Sequence, residues 1–219
     1  MSAFTWPPDG SVSDTFDRPP PADQIAAAVL VPLFVATETN EPHVVLTRRR
    51  ADLRRHAGEI SFPGGRRDAE DASLADTALR EAEEEIGLPR AQVSLLGELP
   101  PTSTFATNYV IHPFVGAIPT GVAWQLSAKE VDAVLELRVE ALRAGRTRTR
   151  MERRGISFET DAYVVEEHLI WGATARILEH LLERLRSTGP DGRLSLAQRA
   201  PDHVRPGSRG AHDAAADSA

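Results

Sequence analysis

Cysteine is absent from all 219 residues, which excludes disulfides and every thiolate metal site. Basic residues are outnumbered, with 25 Lys and Arg against 32 Asp and Glu and a formal net charge of −7. That balance argues against nucleic-acid binding driven by phosphate neutralisation. Lysine is almost missing, Lys129 being the only one, so any cationic patch must be built from arginine. Long apolar runs are missing too. The longest, 25–36, is interrupted by Pro32 and is too short to span a bilayer. The first residues carry no basic segment followed by an apolar one and do not read as a secretory signal. The expectation is a cytoplasmic protein with neither a membrane nor a nucleic-acid partner.

The length fits one domain of ordinary size with tails. Residues 1–23 are rich in Pro, Asp and Ser and include Pro19-Pro20-Pro21, so they read as a disordered arm. From 187 to 219 the chain turns to Gly, Pro, Asp, Arg and Ala and reads as a disordered tail. The folded body is then 24–186. Within it, 26–35 and 43–47 read as strands joined by a polar turn, and 60–62 as a short strand. Further strands are expected at 93–99, 111–118 and 162–165, the last reaching toward His168. Helices are expected at 128–135, 139–144 and 172–186, the third burying Ile177, Leu178, Leu181, Leu182 and Leu185. Strands and helices do not alternate regularly, which suggests a mixed sheet with helices on both faces.

One more helix, 71–86, carries an unfavourable feature. Asp71 or Asp68 is its expected N-cap, and Leu74, Ala75, Ala78, Ala82 and Ile86 form its apolar stripe. Gly87 supplies a left-handed C-terminal residue. The last turns hold four glutamates within five residues, Glu81, Glu83, Glu84 and Glu85. Each acid near a helix C-terminus costs about 0.3–1 kcal/mol, and the like-charged pair Glu81/Glu85 adds about 0.2–0.5 kcal/mol. No basic residue after Arg80 lies in that turn. Glu81, Glu84 and Glu85 share one helix face and can converge on a hard divalent cation, which prefers oxygen ligands. Glu83 is turned about 160° from Glu85 and faces solvent. Upstream, Gly64 and Gly65 permit close approach of backbone to a phosphate or a metal.

The stretch Gly65 to Leu88, ending in Arg80-Glu81-Ala82-Glu83-Glu84-Glu85-Ile86-Gly87-Leu88, resembles the Nudix box of hydrolases that cleave nucleoside diphosphates linked to another moiety. The usual box has a glutamate eight residues before the arginine. Here that position is Ala72, with Asp71 beside it able to replace the glutamate as partner of Arg80. The preceding segment, Leu46-Thr47-Arg48-Arg49-Arg50 through His56-Ala57-Gly58 to Phe62-Pro63-Gly64-Gly65, resembles that of coenzyme A pyrophosphatases. Leu99-Pro100-Pro101, His112-Pro113-Phe114-Val115-Gly116 and Ile170-Trp171-Gly172-Ala173-Thr174 extend the likeness over about 25–185. Arg50 and Asn108 depart from that pattern.

The resemblance implies an α/β (α+β) Nudix fold, an α/β/α sandwich with a mixed β-sheet. It implies Mg²⁺ or Mn²⁺ held by Glu81, Glu84 and Glu85, with Arg80 anchoring the helix. It also implies one further carboxylate from a distant loop, as metal ligand or general base, for which Glu130 is the candidate; a plain helix-start acid is the alternative. Arg49, Arg54 and His56 are the candidate phosphate contacts, together with backbone from Gly64 and Gly65. Arginine grips phosphate oxygens through paired hydrogen bonds, while a neutral His56 would instead orient the loop. The expected reaction is hydrolysis of coenzyme A or acyl-coenzyme A to 3′,5′-ADP and (acyl-)4′-phosphopantetheine. The alternatives are ADP-ribose, a nucleoside diphosphate sugar or a dinucleotide as substrate, or a non-catalytic nucleotide sensor. A homodimer is compatible with the sequence.

Overall fold

The computed structural model describes residues 24–53, 57–104, 108–153 and 155–186. Its centre is a mixed sheet in which β1 (Ile25–Val35) runs parallel to β7 (Tyr109–Ala117) from Ile25↔Tyr109 to Leu33↔Ala117. Both strands are covered on both faces, which is why β1 is an almost unbroken apolar run and not an alternating one. On the other side of β1 the sheet splits. β2 (Pro42–Arg49) pairs with β1 only at Leu33, Phe34 and Val35, and farther along it pairs with the short β3 (Ile60–Ser61). The chain crosses the gap through Phe62 and Pro63 into β4 (Gly64–Arg66), which pairs with Ala27, Ala28 and Val29 of β1. The split therefore delivers Gly64 and Gly65 to its own mouth.

α1 (Leu74–Ile86) covers one face, burying Ala78, Ala82 and Ile86 against Ala28, Leu30 and Val45. β5 (Ser94–Glu98) and β6 (Thr102–Ser103) pair with β7, and β8 (Val131–Arg138) pairs with β2. The opposite face packs on α2 (Val139–Ala144) through Leu142 and on α3 (Gly172–Arg186) through Ile177, Leu178, Leu181, Leu182 and Leu185. A second sheet of β9 (Arg146–Arg153), β10 (Ile156–Val165) and β11 (His168–Trp171) completes that layer. The α/β/α arrangement with a mixed sheet is as expected, and α2, α3 and the left-handed Gly87 (φ 68°) fall where the sequence put them. No helix among the described residues is long and apolar enough to cross a membrane.

Three expectations are corrected. Residues 128–135 are not a helix: 128–130 turn, and β8 follows, because pairing along the whole of β2 outweighs the helix propensity of Ala, Leu and Glu. That also removes the helix-start reading of Glu130. α1 begins at Leu74 with Ser73 as N-cap, whose Oγ accepts from Asp76 N–H at 3.1 Å, because Asp71 is engaged elsewhere. Finally, the strand expected at 162–165 is the end of a long hairpin with β9, whose alternating Arg146-Thr147-Arg148-Thr149-Arg150 is a period-two signal.

Candidate active site

Arg80 is the fixed point of the site. Its five guanidinium N–H groups meet five acceptors: Asp71 Oδ1 (2.9 Å), Asp71 Oδ2 (3.0 Å), Glu81 Oε1 (3.0 Å), Glu84 Oε2 (3.2 Å) and Arg66 O (3.1 Å). Asp71 is buried and also accepts from Thr77 Oγ1 at 2.9 Å and from Asp68 N–H at 2.9 Å. These bonds, Arg80 first, hold the Asp71 carboxyl well below the usual range and raise the Arg80 guanidinium in turn. The aspartate one place off the usual glutamate position thus fixes α1 to the loop before it.

Above the split, α1 presents its next acids to the glycine turn. Glu85 is only 5% exposed, and its Oε2 accepts from Gly64 N–H at 3.3 Å. Glu81 lies over Gly65, where a β-carbon would stand 2.4 Å from Glu81 Oε1. Gly64 is required by close approach to β1, since a β-carbon there would stand 2.3 Å from Ala28 O. Burial pushes the Glu85 carboxyl up to about 8, opposed by Arg49 and reinforced by Glu81 and Glu130. Burial also raises Glu81, with Arg80 pulling the other way. Glu84 is exposed and turned toward Arg80, and Glu83 faces solvent beside Arg90 (2.9 Å).

The third element comes from β2 and β8. A register shift between Arg48 and Arg49 leaves Asp132 out of the ladder, free to pair with Arg48 at 2.7 Å, and sets Val131 opposite Arg49. Arg49 thereby faces α1, with NH1 3.8 Å from Glu85 Oε1 and NH2 3.7 Å from Glu130 Oε2. The lead-in to β8 is tied to the end of α1: Gln125 N–H donates to Ile86 O (3.0 Å) and Ser127 N–H to Glu85 O (2.8 Å). Glu130, half-exposed, sits at the end of that segment. Arg50 is bound to Asp52 and Ala128 O. Arg54 and His56 lie outside the described residues. Glu98, buried, accepts from His112 Nδ1 at 3.1 Å inside the core.

Glu81, Glu84, Glu85, Arg80, Glu130, Arg49, Gly64 and Gly65 are therefore neighbours, although 81 residues separate Arg49 from Glu130 in sequence. The donor set fits Mg²⁺ or Mn²⁺: hard carboxylate oxygens, one of them on a buried side chain whose charge the protein alone does not balance. The fit is not a closed cage. Among the described residues, the trio with ligand atoms within 4.8 Å of one another is Glu166, Glu167 and His168, whereas Arg80 stands between Glu81 and Glu84. The residues that local pattern could not expose are Thr77, Ser127 and the Arg49–Glu130 pairing, each created by long-range packing.

The family model for the NUDIX domain matches residues 25–156. A protein of Photorhabdus laumondii described as an uncharacterized Nudix hydrolase NudL is 37% identical over 188 residues, covering 80% of this chain and 98% of the relative. Its namesake in Salmonella paratyphi B is 41% identical over 161 residues, 73% of this chain and 82% of the relative. Among solved structures, a MutT/nudix family protein from Enterococcus faecalis superposes with a TM-score of 0.53 at 14% identity, covering 80% of this chain and 68% of that one. The NUDIX domain of Shewanella oneidensis NrtR complexed with ADP ribose gives a TM-score of 0.51 at 16% identity, covering 74% and 88%.

Proposed function

The chain belongs to the NUDIX family, and on that premise we propose that it hydrolyses the diphosphate of coenzyme A or an acyl-coenzyme A to 3′,5′-ADP and (acyl-)4′-phosphopantetheine. Nudix hydrolases act on nucleotide derivatives with the help of divalent metals, and this chain is such a hydrolase. The observation that carries the finer reading is the arginine-rich end of β2, which resembles the coenzyme A segment and leads straight to the acidic site through Arg49. A substrate with a diphosphate and a 3′-phosphate brings more negative charge than this acidic protein tolerates without a local cationic patch.

In this reading Glu81, Glu84 and Glu85 would hold Mg²⁺ or Mn²⁺, which when bound would neutralise diphosphate charge and lower the pKa of water. Arg80, its donors already matched, positions α1 and does not touch substrate. Arg49 receives a phosphate oxygen. A water oxygen attacks phosphorus, the bridging P–O bond breaks, and the water's proton passes to Glu130 or Glu81, of which Glu130 is open to solvent. Backbone at Gly64 and Gly65 lines the floor.

The test is a panel of coenzyme A, acyl-coenzyme A, dephospho-coenzyme A, ADP-ribose, a nucleoside diphosphate sugar and a dinucleotide with Mg²⁺ or Mn²⁺, with products read by mass spectrometry. The expected products are 3′,5′-ADP and 4′-phosphopantetheine, formed faster than the corresponding products of dephospho-coenzyme A. AMP from ADP-ribose with no turnover of coenzyme A would refute the substrate assignment and leave the hydrolase.

A further inference from the structure

Two arginines share the acidic site and are held in opposite ways. Every N–H of the Arg80 guanidinium has an acceptor at 2.9–3.2 Å. The Arg49 guanidinium has none among the described residues: its carboxylate neighbours stand at 3.7 and 3.8 Å, outside hydrogen-bond distance, and its Nε is buried without a partner. Its backbone, by contrast, is fixed at the end of β2, with Arg49 N–H donating to Glu59 O at 3.0 Å. The guanidinium therefore has no directional hydrogen bond to break if it redirects.

We propose that Arg49 is an exchangeable counter-cation. It occupies the place between Glu85 and Glu130 until a divalent cation binds their carboxylates, and the guanidinium so released grips a phosphate of the substrate. Arg49 and the cation then compete for the same carboxylates, while cation and substrate favour one another, a reciprocal coupling through one side chain. The charge count supports exchange over simple addition. Glu85 and Glu130 flank Arg49 on both sides, so a cation arriving beside an unmoved guanidinium would meet repulsion at about the distance of an ion pair. A fixed, structural arginine would use its donors as Arg80 does. The inference rests on reading this site as a metal-dependent diphosphate site, and does not depend on coenzyme A being the substrate.

The exchange predicts effects of opposite sign from one substitution. Binding of Mn²⁺ alone, read by electron paramagnetic resonance of the free ion, is compared for the full chain, Arg49→Gln and Arg49→Lys. Methylenediphosphonate, a diphosphate that cannot be hydrolysed, is then titrated by calorimetry at saturating Mn²⁺. Arg49→Gln is expected to bind Mn²⁺ at least threefold more tightly and the diphosphonate at least tenfold more weakly. Arg49→Lys keeps the charge and loses the planar fork, so it is expected to bind Mn²⁺ as the parent does and the diphosphonate more weakly. Unchanged or weaker Mn²⁺ binding by Arg49→Gln would overturn the exchange, whatever the diphosphonate does. If the parent binds no Mn²⁺, the metal reading falls with it. If the exchange holds and coenzyme A is not cleaved, only the substrate assignment fails.

Discussion

Replacing Glu85 by Gln exposes the strain this site stores without metal. The Glu85 carboxyl ionises at about 8 in the fold against an ordinary 4.5, with burial the main cause. At about 1.36 kcal/mol per tenfold change in proton affinity, ionising it in the folded chain costs up to about 5 kcal/mol. An acid whose folded value is raised contributes stability below its unfolded value, and that contribution is lost as pH climbs from 4.5 through about 8. At pH 7 the loss is about 3 kcal/mol, and it approaches its limit near pH 9. Gln keeps an acceptor for Gly64 N–H and has no charge to bury. In metal-free buffer with a chelator, Glu85→Gln is therefore expected to exceed the parent at pH 7 by roughly 6–12 °C in Tm, at about 2–4 °C per kcal/mol for this size. The gap should widen to pH 9 and vanish below pH 4.5. Excess Mn²⁺ should raise the parent's Tm and not the variant's, while turnover by the variant falls by orders of magnitude. Thermal scans across pH read all of this. A variant less stable than the parent at pH 7, or a gap that ignores pH, would refute the reasoning.

Asp71→Asn should cost about 3 kcal/mol, because it breaks a buried pair and leaves Arg80 short of partners. The Asp71 carboxyl is held low, so its contribution is present above its ordinary 3.8 and lost as pH falls below it; urea melts should show the deficit at pH 7 shrinking toward pH 2. Gly65→Ala and Gly64→Ala should separate chemistry from folding. The atoms nearest an added β-carbon at 65 are those of the movable Glu81 carboxylate, so turnover should drop at least tenfold with Tm nearly kept. At 64 it meets Ala28 O of β1, so stability should fall by about 2 kcal/mol.

What the sequence made legible was whatever a single helix could display. Spacing put Glu81 and Glu85 on one face, turned Glu83 outward, and ended α1 at Gly87, and each holds in the structure. The partnership of Asp71 with Arg80 came from the resemblance, since nothing local reveals a bond between residues nine apart across a helix start. Segment 128–135 reads as helix because Ala, Leu and Glu favour it, and only the length of β2 decides otherwise. Arg49 illustrates the limit from another side. By local pattern three arginines in a row are equivalent and only the resemblance singles out Arg49; the ladder and its bulge supply the reason, sending Arg48 to Asp132, Arg50 to Asp52 and Arg49 toward Glu85 and Glu130.

The two backbone bonds that tie Gln125 and Ser127 to the end of α1 have a consequence for how this chain tolerates change in length. Glu130 is 45 residues beyond Glu85, but its distance from the site is set by a short tether of three residues past Ser127. Between the two anchor points β5, β6 and β7 are held in the sheet, and the slack is confined to the loop around Gly121. At Gly121 a side chain would meet nothing within 4 Å, so residues added there lengthen a loop and leave the chemistry in register. A single residue added between Ser127 and Glu130 would carry that carboxylate out of place while the fold closed as before.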